Sequence, residues 1–200
     1  NPVIKKLDFD FASCGYALCI VDTGGSHSDL TDEYAAVRKE MESVAEYLGK
    51  SVLREVDEDE FMKNIADIRS SCGDRAVLRA MHFYGDNARV EKQAAALKAG
   101  DFETFKKYII ESGRSSYMYN QNVYSCKKAS EQPVSLALSL SEKLLDGCGA
   151  WRVHGGGFAG TIQAFVPLNK LDEYKDLMEK VFGSGSCYIL SVRPVGGVEL

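Results

Sequence analysis

Trp151-Arg-Val-His-Gly-Gly-Gly-Phe-Ala-Gly160, continued by Thr161-Ile-Gln-Ala-Phe-Val-Pro167, sets four glycines within six residues between two strand-like segments. Glycine lacks a Cβ, so a backbone built from it can enter left-handed φ and approach another chain or a ligand closely. The spacing Gly155-x-Gly157-x-x-Gly160 satisfies the dinucleotide-binding pattern, but that pattern needs a helix N-terminus after the loop to hold a pyrophosphate. Thr161 to Val166 alternates instead, with Ile162, Ala164 and Val166 on one side and Thr161, Gln163 and Phe165 on the other, and Pro167 stops the run. The unit is strand, glycine loop, strand, which argues against a nicotinamide or flavin site. Spacing leaves two readings of the loop open: a tight β-connection that needs positive φ, and a phosphate-adjacent loop whose successive N–H groups form an anion nest.

Upstream, Tyr16 to Val21 is a continuous apolar run between Gly15 and Asp22-Thr-Gly-Gly25, the pattern of a central strand buried on both faces. From Thr31, the positions Tyr34, Val37, Met41, Val44, Ala45 and Leu48 recur at three- and four-residue steps, with Asp32 and Glu33 in the first turn and Gly49 at the end. That spacing predicts an amphipathic helix. Asp59 to Ser70 reads as a shorter helix. Asp74 to Lys98 reads as a long one, striped by Val77, Met81, Tyr84, Ala88 and Ala95, weakened by Gly85 and closed by Gly100. Asp101 caps a helix whose face is Phe102, Phe105, Tyr108 and Ile109, with Gly113 as its expected end. Ser115 to Gln132 shows no period. Pro133 suits the first turn of a helix through Leu136, Leu140 and Leu144 to Gly147, and a stripe of Leu171, Tyr174, Met178 and Val181 precedes a final strand from Cys187 to Val192.

The order strand, helices, strand, strand, helix, strand predicts an α+β fold: a ferredoxin-like split β-α-β-β-α-β sandwich with inserted helices before the second strand. A mixed or antiparallel four-stranded sheet with helices on one side follows. No internal repeat or linker interrupts the chain, so residues 1–200 read as a single domain.

The balance of 24 basic against 29 acidic residues, a net charge of −5, lacks the basic field that nucleic acid or an anionic membrane selects. No apolar run reaches the roughly 18 residues of a membrane span and no leader-like signal opens the chain, so a cytoplasmic location is expected. The six cysteines form no Cys-x-x-Cys pair and read as reduced core thiols, not as a zinc site. Glu55-Val-Asp-Glu-Asp-Glu60 reads as a helix start in preference to a metal site. His27 and His82 have no partner at catalytic or ligand spacing. His154, beside the glycine loop, suits either a phosphate contact or packing on a neighbour. Nothing in the chain pairs a nucleophile with a base or forms a Gly-Lys-Ser/Thr phosphate loop.

Three segments go further. Cys14-Gly-Tyr-Ala-Leu-Cys-Ile-Val-Asp-Thr-Gly-Gly-Ser-His-Ser-Asp-Leu-Thr-Asp-Glu-Tyr34, with Val37-Arg-Lys-Glu40, resembles the galactokinase segment in which a buried strand leads to Ser-Glu-Tyr and an Arg-Arg pair. Ala150-Trp-Arg-Val-His-Gly-Gly-Gly-Phe-Ala-Gly160 resembles the third signature motif of that family and of the wider GHMP-type kinases of small molecules. Arg79-Ala-Met-His-Phe-Tyr-Gly-Asp-Asn-Ala-Arg89 with Ala99-Gly-Asp101 is similar to the family's helix between them.

The resemblance implies the C-terminal domain of a galactokinase-like sugar-1-kinase, which transfers the γ-phosphoryl of Mg-ATP to galactose or a related sugar. In the family the sugar-recognition signature, the Gly-Leu-Ser-Ser-Ser loop and the catalytic aspartate lie in an N-terminal domain upstream of the segment matching Asn1. On that basis no catalytic residue and no metal ligand falls within 1–200. ATP and Mg would be held mainly by the other domain, and this piece alone is expected to be inactive. Its partners would be sugar, ATP and that N-terminal domain, with self-association if the apolar domain boundary is left bare.

Tyr34 matches the tyrosine that contacts the sugar; its spacing equally makes it the first anchor of the helix stripe. Gly155, Gly156, Gly157, Phe158, Ala159 and Gly160 match the loop that packs beside the nucleotide phosphates and steadies the upstream phosphate loop. Arg38 is either a charged brace between helix and loop or a solvated helix arginine. His154 replaces a small hydroxyl residue, Lys39 an arginine and Ala159 a glycine, and Glu131-Gln-Pro-Val134 lacks the family's carboxylate-bearing helix start. Alanine at 159 predicts negative φ there. The alternatives to a sugar kinase are a non-catalytic galactokinase-like sugar sensor and a mevalonate- or homoserine-type kinase.

Overall fold

Four strands carry the architecture of this computed structural model, which describes residues 7, 9–26, 28 and 30–192. They are β1 (Tyr16–Asp22), β2 (Ala150–His154), β3 (Thr161–Pro167) and β4 (Cys187–Leu190). Their order across the sheet is β2-β3-β1-β4, with every neighbouring pair antiparallel. This is the strand order of the split β-α-β-β-α-β sandwich, so the predicted fold class holds. Of the two sheet types expected, the antiparallel one forms.

Register follows from the period-2 alternation. Tyr16 lies opposite Pro167 and Asp22 opposite Thr161, while Trp151 faces Ala164 and Val153 faces Ile162. One sheet face therefore gathers Ala17, Cys19, Val21, Trp151, Val153, Ile162, Ala164 and Val166, all buried. Two helices close over it: α6 (Pro133–Leu145), through Val134, Ala137 and Leu145, and α7 (Leu171–Phe182), through Tyr174 and Met178. The buried Tyr174 hydroxyl is satisfied by Ser141 Oγ at 2.9 Å.

The expectation of helices on one side needs correction. The opposite face is covered at its apolar end by α5 (Phe102–Ser115), whose Phe102, Phe105 and Ile109 pack on Ala150 and Phe165. Phe165 breaks the polar alternation of β3 and gives this second layer something to bury against. The run from Tyr16 to Val21 likewise alternates between fully and half-buried positions, so β1 is not buried equally on both faces.

The insertion between β1 and β2 builds a separate, all-helical core. It contains α1 (Thr31–Tyr47), α2 (Glu58–Lys63), α3 (Ile65–Cys72) and α4 (Asp74–Lys98), which meet through Val44, Ala45, Phe61, Ile68, Val77 and Ala80. The single helix read over 59–70 is two helices that meet at Asn64, whose backbone leaves the helical region (φ −102°, ψ 9°) and whose side-chain amide donates back to Glu60 O at 2.8 Å. The acidic run before it works as a cap, Asp57 accepting from the Asp59 and Glu60 amides at 2.9 and 3.4 Å. Gly113 does not end α5. It lies where a Cβ would sit 3.0 Å from Trp151 O and 2.9 Å from Arg152 Cβ, so glycine there lets helix and strand approach. The chain runs on through a π turn, Ser116–Asn120, to Gln121 in the left-handed region.

Candidate functional site

The glycine loop joins the ends of β2 and β3, where His154 pairs with Thr161. It adopts left-handed φ at Gly155 (68°), Gly157 (83°) and Phe158 (59°). For a residue with a side chain that conformation costs about 1–3 kcal/mol and persists only when its surroundings enforce it. Two surroundings do so. Burial is the first: the Phe158 ring is 3% exposed, packs with Leu30 and Ala159, and meets Tyr34 edge to face at 5.1 Å. Hydrogen bonding is the second: the Phe158 N–H donates to Asn122 O at 2.6 Å, the Asn122 side-chain amide donates to Gly156 O at 3.2 Å, and the Ala159 N–H donates to Gly157 O at 2.8 Å.

Asn122 therefore acts as a template for the loop. A Cβ at position 157 would lie 1.8 Å from Asn122 O, so only glycine fits there. Ala159, in contrast, lies outside the left-handed region, as its side chain predicts. The far end of the loop is tied to the segment after β1, since Gly160 O accepts both the Thr23 N–H (3.1 Å) and the Thr23 hydroxyl (2.6 Å).

Tyr34 sits in the first turn of α1 and its ring covers Gly156, where a Cβ would come within 2.7 Å of Cε1. Its hydroxyl donates to Gly157 O at 2.7 Å. Burial pushes the phenol above its ordinary pKa, with the Ala159 backbone opposing that shift, so Tyr34 is a neutral donor near pH 7. The structure thus brings together the two features singled out from sequence, the tyrosine and the glycine loop, as one packed unit at the start of α1. Two amides that an anion nest would need, those of Phe158 and Ala159, are spent inside the protein.

The remaining sequence candidates lie apart from this unit. Arg38 has 83% of its side chain exposed and pairs with Glu42 one turn on at 2.7 Å, the geometry of a solvated helix arginine. His154 is exposed, with Nδ1 2.9 Å from Gln163 Oε1. His82 is buried against Ser115 Oγ at 2.9 Å, and burial lowers its pKa. His27 falls outside the described residues. Among the described residues no three His, Cys, Asp or Glu side chains gather to hold a metal, and no helix is long and apolar enough to cross a membrane.

Beside the loop opens a cleft of about 650 Å³ between the segment after β1 and the start of α6. Leu30, Leu136, Phe158 and Ala159 line its apolar wall, and Ser130 and Lys128 supply polar groups. Gly25 also lines it, packed so closely on the loop that a Cβ there would meet Ala159 Cβ at 2.9 Å.

Three contributors were missed from sequence. Thr23 and Asn122 sit in loops without a period, and Arg79 is hidden within a helical pattern. The two asparagines of Asn120-Gln-Asn122 are a local hint, since asparagine favours turns.

Comparison with known proteins converges on one group, although no family model matches the chain. It is 31% identical to the galactokinase of Homo sapiens over 184 residues, covering 92% of this chain and 44% of that protein. Against the galactokinase of Thermosipho africanus it is 29% identical over 182 residues, covering 89% and 47%. Against that of Actinobacillus pleuropneumoniae serotype 5b it is 26% identical over 164 residues, covering 82% and 41%. The chain thus spans less than half the length of these relatives. Its fold matches the crystal structure of Lactococcus lactis galactokinase complexed with galactose, with a TM-score of 0.64 at 20% identity, over 88% of this chain and 45% of that one.

Proposed function

From the premise that this chain belongs to the galactokinase family, matching the C-terminal portion of its members, we propose that it is the C-terminal domain of a sugar-1-kinase that phosphorylates galactose or a related sugar at the expense of ATP. The observation that carries this reading is the Tyr34–glycine loop unit: the tyrosine to which the family resemblance gives a sugar contact and the loop to which it gives a place beside the phosphates are joined by a 2.7 Å hydrogen bond. An N-terminal domain would complete the site with the phosphate loop and catalytic aspartate, and without it this chain would be inactive.

ATP supplies the phosphoryl group when bound. The cleft beside Ala159 has the size to meet part of a ligand, but its cation, Lys128, lies 3.9 Å from the carboxylate of Glu131 in the same lining, and no acidic cluster among the described residues suits Mg. What this chain contributes is position. Tyr34 would offer its ring edge and hydroxyl to the sugar, and the hydrogen bond to Gly157 sets where that hydroxyl stands. The loop would act as a rigid wall more than as a donor set, since two of its amides are already spent. Holding reactants in place supplies much of the rate enhancement in phosphoryl transfer, where little covalent chemistry falls to the protein.

The test is ATP consumption by the complete protein, N-terminal domain included, over a panel of sugars together with mevalonate and homoserine. Turnover with galactose or a near relative is expected. Sugar binding without turnover would favour a sensor, and turnover only with an alcohol or amino acid would move the protein to another branch of the GHMP kinases.

A further inference from the structure

The strained loop is held by Asn122, and Asn122 is itself held from deep within the helical insertion. Arg79 of α4 is completely buried. Its Nη1 donates to Glu40 Oε2 of α1 at 2.9 Å and its Nε donates to Asn120 O, at the end of the π turn, at 3.1 Å. Gln121 follows in the left-handed region, its N–H returned to Ser116 O at 2.8 Å, and the next residue is Asn122. A guanidinium at zero exposure is expensive to bury unless its charge and its N–H groups are used. Here the charge meets Glu40, which Arg75 also grips at 3.0 Å, and Nε fixes the backbone two residues before the loop's template, while the buried Nη2 has no hydrogen-bond partner among the described residues. Helix α1 thus reaches the glycine loop by two routes: directly through Tyr34 to Gly157, and indirectly through Glu40, Arg79, Asn120 and Asn122.

We infer that Arg79 and Asn122 are positioning residues: together they hold the glycine loop in its left-handed form, and so set its placement beside the nucleotide. The role toward the nucleotide rests on the proposed kinase function; the mechanical clamp does not. Lysine at 79 keeps the charge but lacks the planar fork that spans Glu40 and Asn120 at once. Aspartate at 122 is the same size but turns an acceptor toward Gly156 O.

Two measurements on the complete protein test this. In hydrogen exchange, Arg79→Lys and Asn122→Asp should each speed exchange of the Phe158 amide by about five- to tenfold, the equilibrium effect of losing one hydrogen bond, while the amides of β1 keep their protection. In steady-state kinetics both variants should raise KM for ATP by about the same factor and KM for the sugar by clearly less, since the loop reaches the sugar side only through the Gly157–Tyr34 hydrogen bond. Unchanged exchange at Phe158, or equal acceleration throughout the chain, overturns the clamp. Accelerated exchange with both KM values moving together overturns the role toward the nucleotide. The exchange result decides the clamp even if the parent protein turns over none of the tested substrates, an outcome that would count against the kinase reading alone.

Discussion

Alanine at two glycines of one loop separates backbone strain from backbone contact. Gly155 and Gly157 are both left-handed, at φ 68° and 83°, so alanine at either suffers a similar conformational penalty of roughly 1–2 kcal/mol. Their surroundings differ. A Cβ at 155 meets nothing within 4 Å, whereas one at 157 would lie 1.8 Å from Asn122 O. No rotation relieves that clash, because Asn122 O is backbone and a Cβ is fixed in place by the backbone that carries it. Gly157→Ala must push the loop off Asn122, losing the 2.6 Å bond from the Phe158 N–H. Breaking a hydrogen bond so that its buried groups are left unpaired costs about 1–3 kcal/mol. The totals are about 1–2 kcal/mol for Gly155→Ala and about 2–5 kcal/mol for Gly157→Ala. Urea unfolding followed by tryptophan fluorescence is a direct assay, since the one tryptophan, Trp151, lies in β2. Equal destabilisation by the two substitutions would refute the idea that Asn122 acts as a rigid template.

Tyr34→Phe keeps the ring over Gly156 and removes only the hydroxyl, so unfolding free energy should fall by about 1 kcal/mol; no change would mean the Gly157 contact is idle. In the complete protein the same substitution should raise KM for the sugar more than KM for ATP, and the reverse order would remove Tyr34 from the sugar side. Arg38→Ala should leave the urea unfolding midpoint essentially unchanged, since its exposed pair with Glu42 is screened by solvent, and a clear loss of stability would show that Arg38 braces more than its own helix. Burial lowers the pKa of His82 below 6.5, with Asp86 opposing and Arg152 and Arg89 assisting. The unfolded chain therefore binds a proton that the folded chain refuses, and stability should fall as pH drops below 6.5. His82→Gln should flatten that slope in urea titrations between pH 7 and 5.5; an unaltered slope would assign it to other groups.

How much of this was legible from the residues varies with the kind of interaction. The alternation in Thr161–Val166 announces a strand with one buried face, and the structure places Ile162, Ala164 and Val166 in the core accordingly. Phe165 carries an equally local signal, an aromatic on the polar side of the alternation, but which element covers it, α5, is decided only by packing. Gly113 could equally end a helix or admit a strand, because glycine serves both purposes and only the neighbour decides. At the helix break the Asn64 side chain bonds a backbone carbonyl, a local competition that propensity alone does not resolve.

For the site the division is sharper. Sequence by itself determined that a glycine-rich hairpin follows a helix bearing Tyr34, that the sheet is a split β-α-β-β-α-β, and that Ala159 avoids left-handed φ. These are consequences of periods 2 and 3.6 and of Cβ sterics, which act within a few residues. Only the tertiary structure decided that the Tyr34 hydroxyl lands on Gly157, 123 positions along the chain, that Asn122 O receives the Phe158 N–H, and that the buried Arg79 bonds to Asn120 O, two residues before Asn122. Such contacts arise where separately patterned elements are packed together. They leave no periodic trace, because each partner needs only one polar atom in the right place, and that place is defined by the fold.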